Sequence, residues 1–159
     1  MPDIKLIAAI DSKRGIAAGQ KSLWHIPTDH RYFLDMVKEG PVVMGWNTFE
    51  AYNFKPFGNG SNTVLTRRDI EAVPGIWIVH DAQTFFRELQ SDIWVVGGGK
   101  IYNEAMPFAT KLYITQIEGD FNADIFFPKY DSLFHRTDNN KPQTENGITF
   151  TFQIWERKL

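Results

Sequence analysis

The 159-residue sequence predicts an α/β fold: a largely parallel sheet covered on both faces, with antiparallel pairing added at the C-terminal end. Two observations carry this. Short β-rich apolar runs alternate with helical stretches over most of the chain, and the stretch beyond residue 117 carries no helical period and closes on a long β-rich run. No internal repeat and no low-complexity segment interrupts the pattern.

Ile4–Ile10 reads as a buried first strand, followed by a polar loop over 11–25. A helix begins at Pro27, a residue suited to the first helical position, and runs to about Lys38 before Gly40 and Pro41 stop it. Residues 42–44 form a second buried strand ending at Gly45, where a short helix through Ala51 takes over. A loop rich in Gly, Pro and Asn spans 53–61, with strands at 63–65 and Ile76–Val79 beyond it. Residues 82–89 are helical, 93–96 form a strand running into Gly97, Gly98 and Gly99, and 100–106 are helical again. A strand at 112–117, a hairpin connection over 138–146 and a final strand at 148–155 complete the chain.

Composition bounds the function. The length suits one domain spanning 1–159, able to bury ~70% of the surface its unfolded chain exposes. Five Trp and thirteen Phe are far too many for a disordered chain. Seventeen Lys and Arg against nineteen Asp and Glu leave a charge of −2 with no block of like sign, which argues against a nucleic-acid or membrane-surface partner. The absence of Cys removes thiol catalysis, thiolate metal sites and disulfides. The apolar run at Ile4–Ile10, cut by Lys5 and closed by Asp11, is neither signal peptide nor membrane span, so a cytoplasmic location is expected.

Ligands of open parallel sheets bind outside the carboxyl ends of the strands. Gly97, Gly98 and Gly99 follow a strand and open a helix, the setting in which backbone amides hold a phosphate, although Tyr102 breaks the dinucleotide fingerprint G-x-G-x-x-G. Glycines here also simply permit a tight turn. Gly45, Trp46, Asn47 and Thr48 form a second such turn, where Asn47 or Thr48 would equally serve as a helix cap. Two such turns on neighbouring strands would frame a pyrophosphate. Arg67 and Arg68 follow a third strand end; ordinary solvated surface is one reading of them, and a grip on a further phosphate together with Lys100 is the other.

Asp29 is the most informative single residue. It lies in the first helical turn, where a carboxylate complements the helix dipole. It also shares a stripe with Phe33 and Met36 at i, i+4 and i+7, so it is expected to lose solvation and to hold its proton more tightly. No serine sits in a nucleophile motif and the four histidines form no ligand cluster, so no metal site is expected and a reaction here requires a borrowed cofactor.

At this point the residues resemble those of the dihydrofolate reductase family over essentially the full length. The matching segments are Leu6-Ile7-Ala8-Ala9-Ile10, Leu23-Trp24-His25-Ile26-Pro27-Thr28-Asp29, Pro41-Val42-Val43-Met44-Gly45 with Thr48-Phe49-Glu50, Asn62-Thr63-Val64-Leu65-Thr66-Arg67, Val95-Val96-Gly97-Gly98-Gly99-Lys100-Ile101-Tyr102, Leu112-Tyr113-Ile114-Thr115, and Ala123-Asp124 with Phe127-Pro128. The resemblance implies an eight-stranded, mostly parallel sheet with an antiparallel C-terminal strand and four flanking helices. It further implies NADPH-dependent reduction of 7,8-dihydrofolate, by a monomer, with hydride reaching pterin C6 and a proton N5. Asp29 falls on the family's active-site acid, and Trp24 and Thr115 fall on residues connected to it directly or through water. Ile7, Ala8, Phe33, Tyr52, Phe57 and Val96 would line the substrate pocket. Ala9, Ile16, Gly45, Trp46, Asn47, Thr48, Leu65, Thr66, Arg67, Gly97, Gly98, Gly99, Lys100, Ile101 and Tyr102 would hold NADPH, with a cis peptide between Gly97 and Gly98.

The chain departs from the family pattern at several places. Gly60 stands where the family carries an arginine for the glutamate tail of folate, and Trp46 where it carries an arginine for the cofactor's 2′-phosphate. In the active-site loop Ala17, Ser22 and Leu23 replace the usual Gly, Leu or Met, and Pro. Losing the tail contact would cost ~1.5–3 kcal/mol of binding, with Lys55 or Arg31 as substitutes. The rival reading is a reductase of the same fold acting on a tail-less pterin or a riboflavin-pathway pyrimidine; Gly60 favours it, while Asp29 with Trp24 and Thr115 opposes it.

Overall fold

The computed structural model describes every residue of the chain except Gln20 and Ala72. Its strands are β1 (Ile4–Ile10), β2 (Gly15–Ala17), β3 (Val42–Gly45), β4 (Asn62–Leu65), β5 (Ile76–Val79), β6 (Ile93–Val95), β7 (Lys111–Ile117), β8 (Ile125–Phe126), β9 (Phe134–Arg136), β10 (Gln143–Glu145) and β11 (Ile148–Arg157). The helices are α1 (Pro27–Val37), α2 (Trp46–Ala51), α3 (Ala82–Arg87) and α4 (Gly99–Ala105), the last extended by a 3₁₀ turn over Met106–Phe108. One sheet runs in the order β10-β11-β7-β1-β6-β3-β4-β5, with β9 paired to β11 off this path. From β7 to β5 all neighbours are parallel; β11 pairs antiparallel with both β7 and β10. These eight strands and four helices match the expected fold.

Alternation along the strands sets two large clusters on opposite faces of the sheet, and a third, smaller one holds Ile26, Ile117 and Phe150. Leu6, Ala8 and Ile10 of β1 and Val43 of β3 pack with Ile101, Tyr102 and Ala105 of α4 on one face. Ile7 of β1 and Val42 and Met44 of β3 pack with Val37 of α1 and Phe49 of α2 on the other. Helices of six residues such as α2 and α3 are far below the ~12–15 residues at which an isolated helix becomes even marginal in water. Burial of Phe49 and Phe86, each contributing ~1.5–3 kcal/mol, is what holds them.

Three segments differ from the sequence reading; the last is the stretch over 118–137, which has no strand pattern of its own and holds β8 and β9. The loop expected over 11–25 contains β2, which pairs with β8 in a separate two-stranded sheet, and the hairpin connection expected over 138–146 contains β10. Three-residue strands have no periodicity of their own and exist because a distant partner supplies their hydrogen bonds. The first segment is organised by Asp11, only 1% exposed, whose carboxylate accepts from the amides of Lys13 at 2.9 Å, Gly15 at 2.8 Å and Phe121 at 3.1 Å. α1 likewise begins on a borrowed contact. Ile26 offers no capping side chain, and Glu145 of β10 accepts instead from the Thr28 amide at 3.0 Å and the Thr28 hydroxyl at 2.6 Å.

Asp11→Ala strands three amides at once. At ~1.5–3 kcal/mol for a hydrogen bond to a charged group, the variant is expected to lose at least ~3 kcal/mol of unfolding free energy in urea titration. A loss below ~1 kcal/mol would show that water replaces the carboxylate freely.

Candidate active site

Two clefts open at the carboxyl ends of the parallel strands. The first, of about 680 Å³, is lined by Gly45, Trp46 and Asn47 after β3, by residues 65–68 after β4, by 80–83 after β5, and by 98–101 with Glu104 from α4. The Gly97–Gly98 peptide is cis, and Gly97 has φ +127°. A Cβ on Gly97 would stand 3.2 Å from the Thr48 hydroxyl oxygen and 3.3 Å from that of Tyr102, so the turn is bare by necessity. The Gly45 amide donates to the Gly97 carbonyl at 2.7 Å, stitching the two glycine turns together. Neither Gly45 nor Gly98 caps its helix through a side chain, which leaves the first amides of α2 and α4 open. Arg67, Arg68, His80 and Lys100 add donors, while Leu65 and Ile101 add apolar wall. This donor set fits a dinucleotide: amides for a pyrophosphate, apolar surface for a base and cations for a further phosphate.

The second cleft, of about 650 Å³, contains Asp29 together with Ile7, Ala8, Ala9, Trp24, Phe33, Tyr52, Val96, Tyr102 and Thr115. The Thr115 hydroxyl of β7 donates to the Asp29 carboxylate at 2.6 Å. Burial pushes the Asp29 carboxyl above its ordinary range, against the opposing effects of the Thr115 bond and the neighbouring His30. Trp24 packs edge-on against Phe121 with ring centroids 5.3 Å apart, and among the described residues Asp29 is bonded to Thr115 rather than to this indole. The Tyr102 hydroxyl donates to the Ile7 carbonyl at 2.6 Å. Val96 and Tyr102 face this cleft while Gly98 and Gly99 face the other, so the glycine turn is a wall that both share.

Most residues singled out in the sequence line these clefts, with instructive exceptions. Phe57 lies behind the wall of the second, 5.5 Å from the Phe33 ring and 4.4 Å from the Tyr52 ring. Ala9 and Tyr102 line the second cleft rather than the first. Thr48 and Gly97 belong to neither lining, the Thr48 hydroxyl lying against the Gly97 backbone, and Ile16 packs onto the core near Gly99. The sequence reading did not single out His80, Asp81, Gln83 or Glu104 for the first cleft, nor His30 for the second. The position of His80 directly past a parallel strand is the signal that could have found it.

The family model for dihydrofolate reductase matches residues 3–157. The chain belongs to the dihydrofolate reductase family. It is 32% identical to a dihydrofolate reductase of Staphylococcus aureus over 98% of both chains, and 31% identical to that of Neisseria gonorrhoeae over 96% of both. A relative in Buchnera aphidicola is 30% identical, covering 98% of this chain and 99% of its own. Among solved structures, a dihydrofolate reductase from Enterococcus faecalis complexed with NADP(H) superposes with a TM-score of 0.85 at 24% identity, covering 98% and 96% of the two chains, a likeness of fold.

Against the family pattern, position 60 is explained by backbone. A Cβ there would collide with the Gly40 carbonyl oxygen, because the Asn59 amide donates to Lys38 at 2.8 Å and Asn62 ties the loop through bonds to Phe57 and Gly60. No arginine fits as the chain runs. Of the two substitutes considered, Arg31 lines the second cleft, whereas Lys55 is exposed outside its lining.

The raised Asp29 carboxyl means that the folded chain keeps a proton the unfolded chain releases, so folding stability falls as pH rises through that interval. Asp29→Asn keeps an acceptor for Thr115 and removes the burial of charge. It is expected to be at least as stable as the parent at neutral pH, with the advantage vanishing below ~pH 4, as read by urea unfolding at both pH values. A variant less stable at neutral pH would contradict the burial penalty.

Proposed function

We propose that this protein reduces 7,8-dihydrofolate to 5,6,7,8-tetrahydrofolate with NADPH, using Asp29 as its active-site acid. The observation that carries the reading is the pairing of a glycine-turned cleft with a neighbouring cleft whose one carboxyl, half-buried, is held by Thr115. When bound, the dinucleotide supplies a hydride to the pterin ring. The Gly45 and Gly97 to Gly99 turns would hold its pyrophosphate, Leu65 and Ile101 its apolar surface, and Arg67 with Lys100 its remaining phosphate. Asp29 would bond the amino-pyrimidine edge of the substrate and promote protonation at N5, and the Thr115 hydroxyl holds its carboxyl in place. Ile7, Ala8, Phe33 and Val96 exclude water around the ring, and Trp24 closes the cleft from the loop side.

Among the described residues no helix is long and apolar enough to cross a membrane. The reading extends to a single-domain, monomeric, cytoplasmic enzyme with a small-molecule substrate and no nucleic-acid or membrane partner, in keeping with the balanced charge of the sequence.

Asp29→Asn is expected to lower kcat/KM for dihydrofolate by ~10²–10⁴ at neutral pH while NADPH affinity stays unchanged. The parent's rate falls as pH rises through the raised Asp29 value, and the variant loses that dependence. Steady-state rates across pH check both, measured beside a tail-less dihydropterin. Unchanged turnover in the variant would remove Asp29 from the reaction, and equal efficiency on the two substrates would favour the tail-less reading.

A further inference from the structure

We propose that His80 is a pH-sensitive reader of the cofactor's ribose 2′-phosphate, working with Arg67 across the ends of β4 and β5. The inference rests on the proposed binding of NADPH. Leu65 and Val79 are paired in register, and the Thr66 amide donates to the Val79 carbonyl at 3.0 Å, so residues 66–67 and 80 leave the sheet side by side. His80 Nδ1 lies 2.7 Å from the Thr66 carbonyl oxygen. A carbonyl only accepts, so the proton sits on Nδ1, and among the described residues Nε2 has no hydrogen-bond partner. His80 is exposed and lines the first cleft with Arg67.

The other charged groups facing this corner are distributed so as to leave His80 available. Asp81 caps α3, accepting from the Thr84 amide at 3.3 Å and hydroxyl at 2.8 Å, with Arg87 behind it. The Arg68 guanidinium lies 5.5 Å from the Trp46 ring centroid, drawn over the aromatic face. Lys100 and Glu104 stand on α4 across the cleft. Trp46 occupies the place where the resemblance expects a phosphate-binding arginine, so the groups left for a dianion are Arg67, Lys100 from α4 and, beside Arg67 at the neighbouring strand end, His80. Imidazole is the side chain that gains its charge between about pH 8 and 5, and only its protonated form offers Nε2–H to a phosphate oxygen.

The test is equilibrium binding of adenosine 2′,5′-bisphosphate, with adenosine 5′-monophosphate as the control lacking the 2′-phosphate, to the parent and to His80→Gln. Parent affinity for the bisphosphate is expected to weaken about fivefold from about pH 6.5 to about pH 8. The variant should change over this range only as far as the ligand's own phosphate titrates, and the monophosphate should show no difference between proteins. Addition of the bisphosphate should move the His80 Nε2 ¹⁵N resonance toward its protonated position. Identical bisphosphate affinities for parent and variant at both pH values would overturn the role of His80 and leave the cofactor reading standing. Failure of the parent to bind the bisphosphate better than the monophosphate at either pH would overturn the 2′-phosphate reading itself.

Discussion

The hydrogen bond from Thr115 to Asp29 joins the first turn of α1 to β7, and the geometry of the substrate cleft depends on it. A carboxyl withdrawn from water beside apolar side chains costs free energy in its charged form unless something bonds it. One hydroxyl at 2.6 Å offsets part of that cost, and the rest appears as a carboxyl that keeps its proton above the ordinary range. The same helix turn is also held by Glu145 of β10, through Thr28. Both anchors come from the C-terminal part of the chain, Thr115 from β7 within a segment that matches the family and Glu145 from β10, which carries no motif, so these two strands determine where the acid stands.

The parallel half does the complementary work. β3, β4, β5 and β6 end together, and the residues just past these ends line the dinucleotide cleft. The contact between the halves is the glycine turn, stitched to Gly45 on one side and backed by Tyr102 on the other. Because Tyr102 also donates to Ile7 in the substrate cleft, a displacement of the turn would be felt in both clefts at once. Backbone packing governs position 60 too: there the chain runs too close to Gly40 for any side chain, while Arg31 stands as a cation at the second cleft.

The long central strands and all four helices were legible because each has a period or a boundary residue of its own, as with Ile4–Ile10 or the start of α1 at Pro27. Asp29 was legible as well, since its spacing to Phe33 and Met36 places it on a buried stripe without reference to any other element. What could not be read are interactions whose two partners are far apart in sequence. The amides of Gly15 and Phe121 meet on Asp11, and Glu145 reaches back to Thr28. β2 and β8 exist only as partners of each other. Phe57 illustrates the converse: the resemblance puts it in the pocket lining, yet the rings of Phe33 and Tyr52 pack against it and it lies outside the cleft. His80 read as an isolated histidine until the register of β4 and β5 set it beside Thr66.

One proton, on the Asp29 carboxyl, decides whether the substrate cleft offers an acid. A ¹³C titration of that carboxyl in the ligand-free protein observes it without turnover, cofactor or substitution. The structure predicts a midpoint above the ~3.9 of an unperturbed aspartate. A midpoint at or below that value would mean that the Thr115 bond outweighs burial, and that Asp29 enters the reaction as a fixed negative charge instead of an acid.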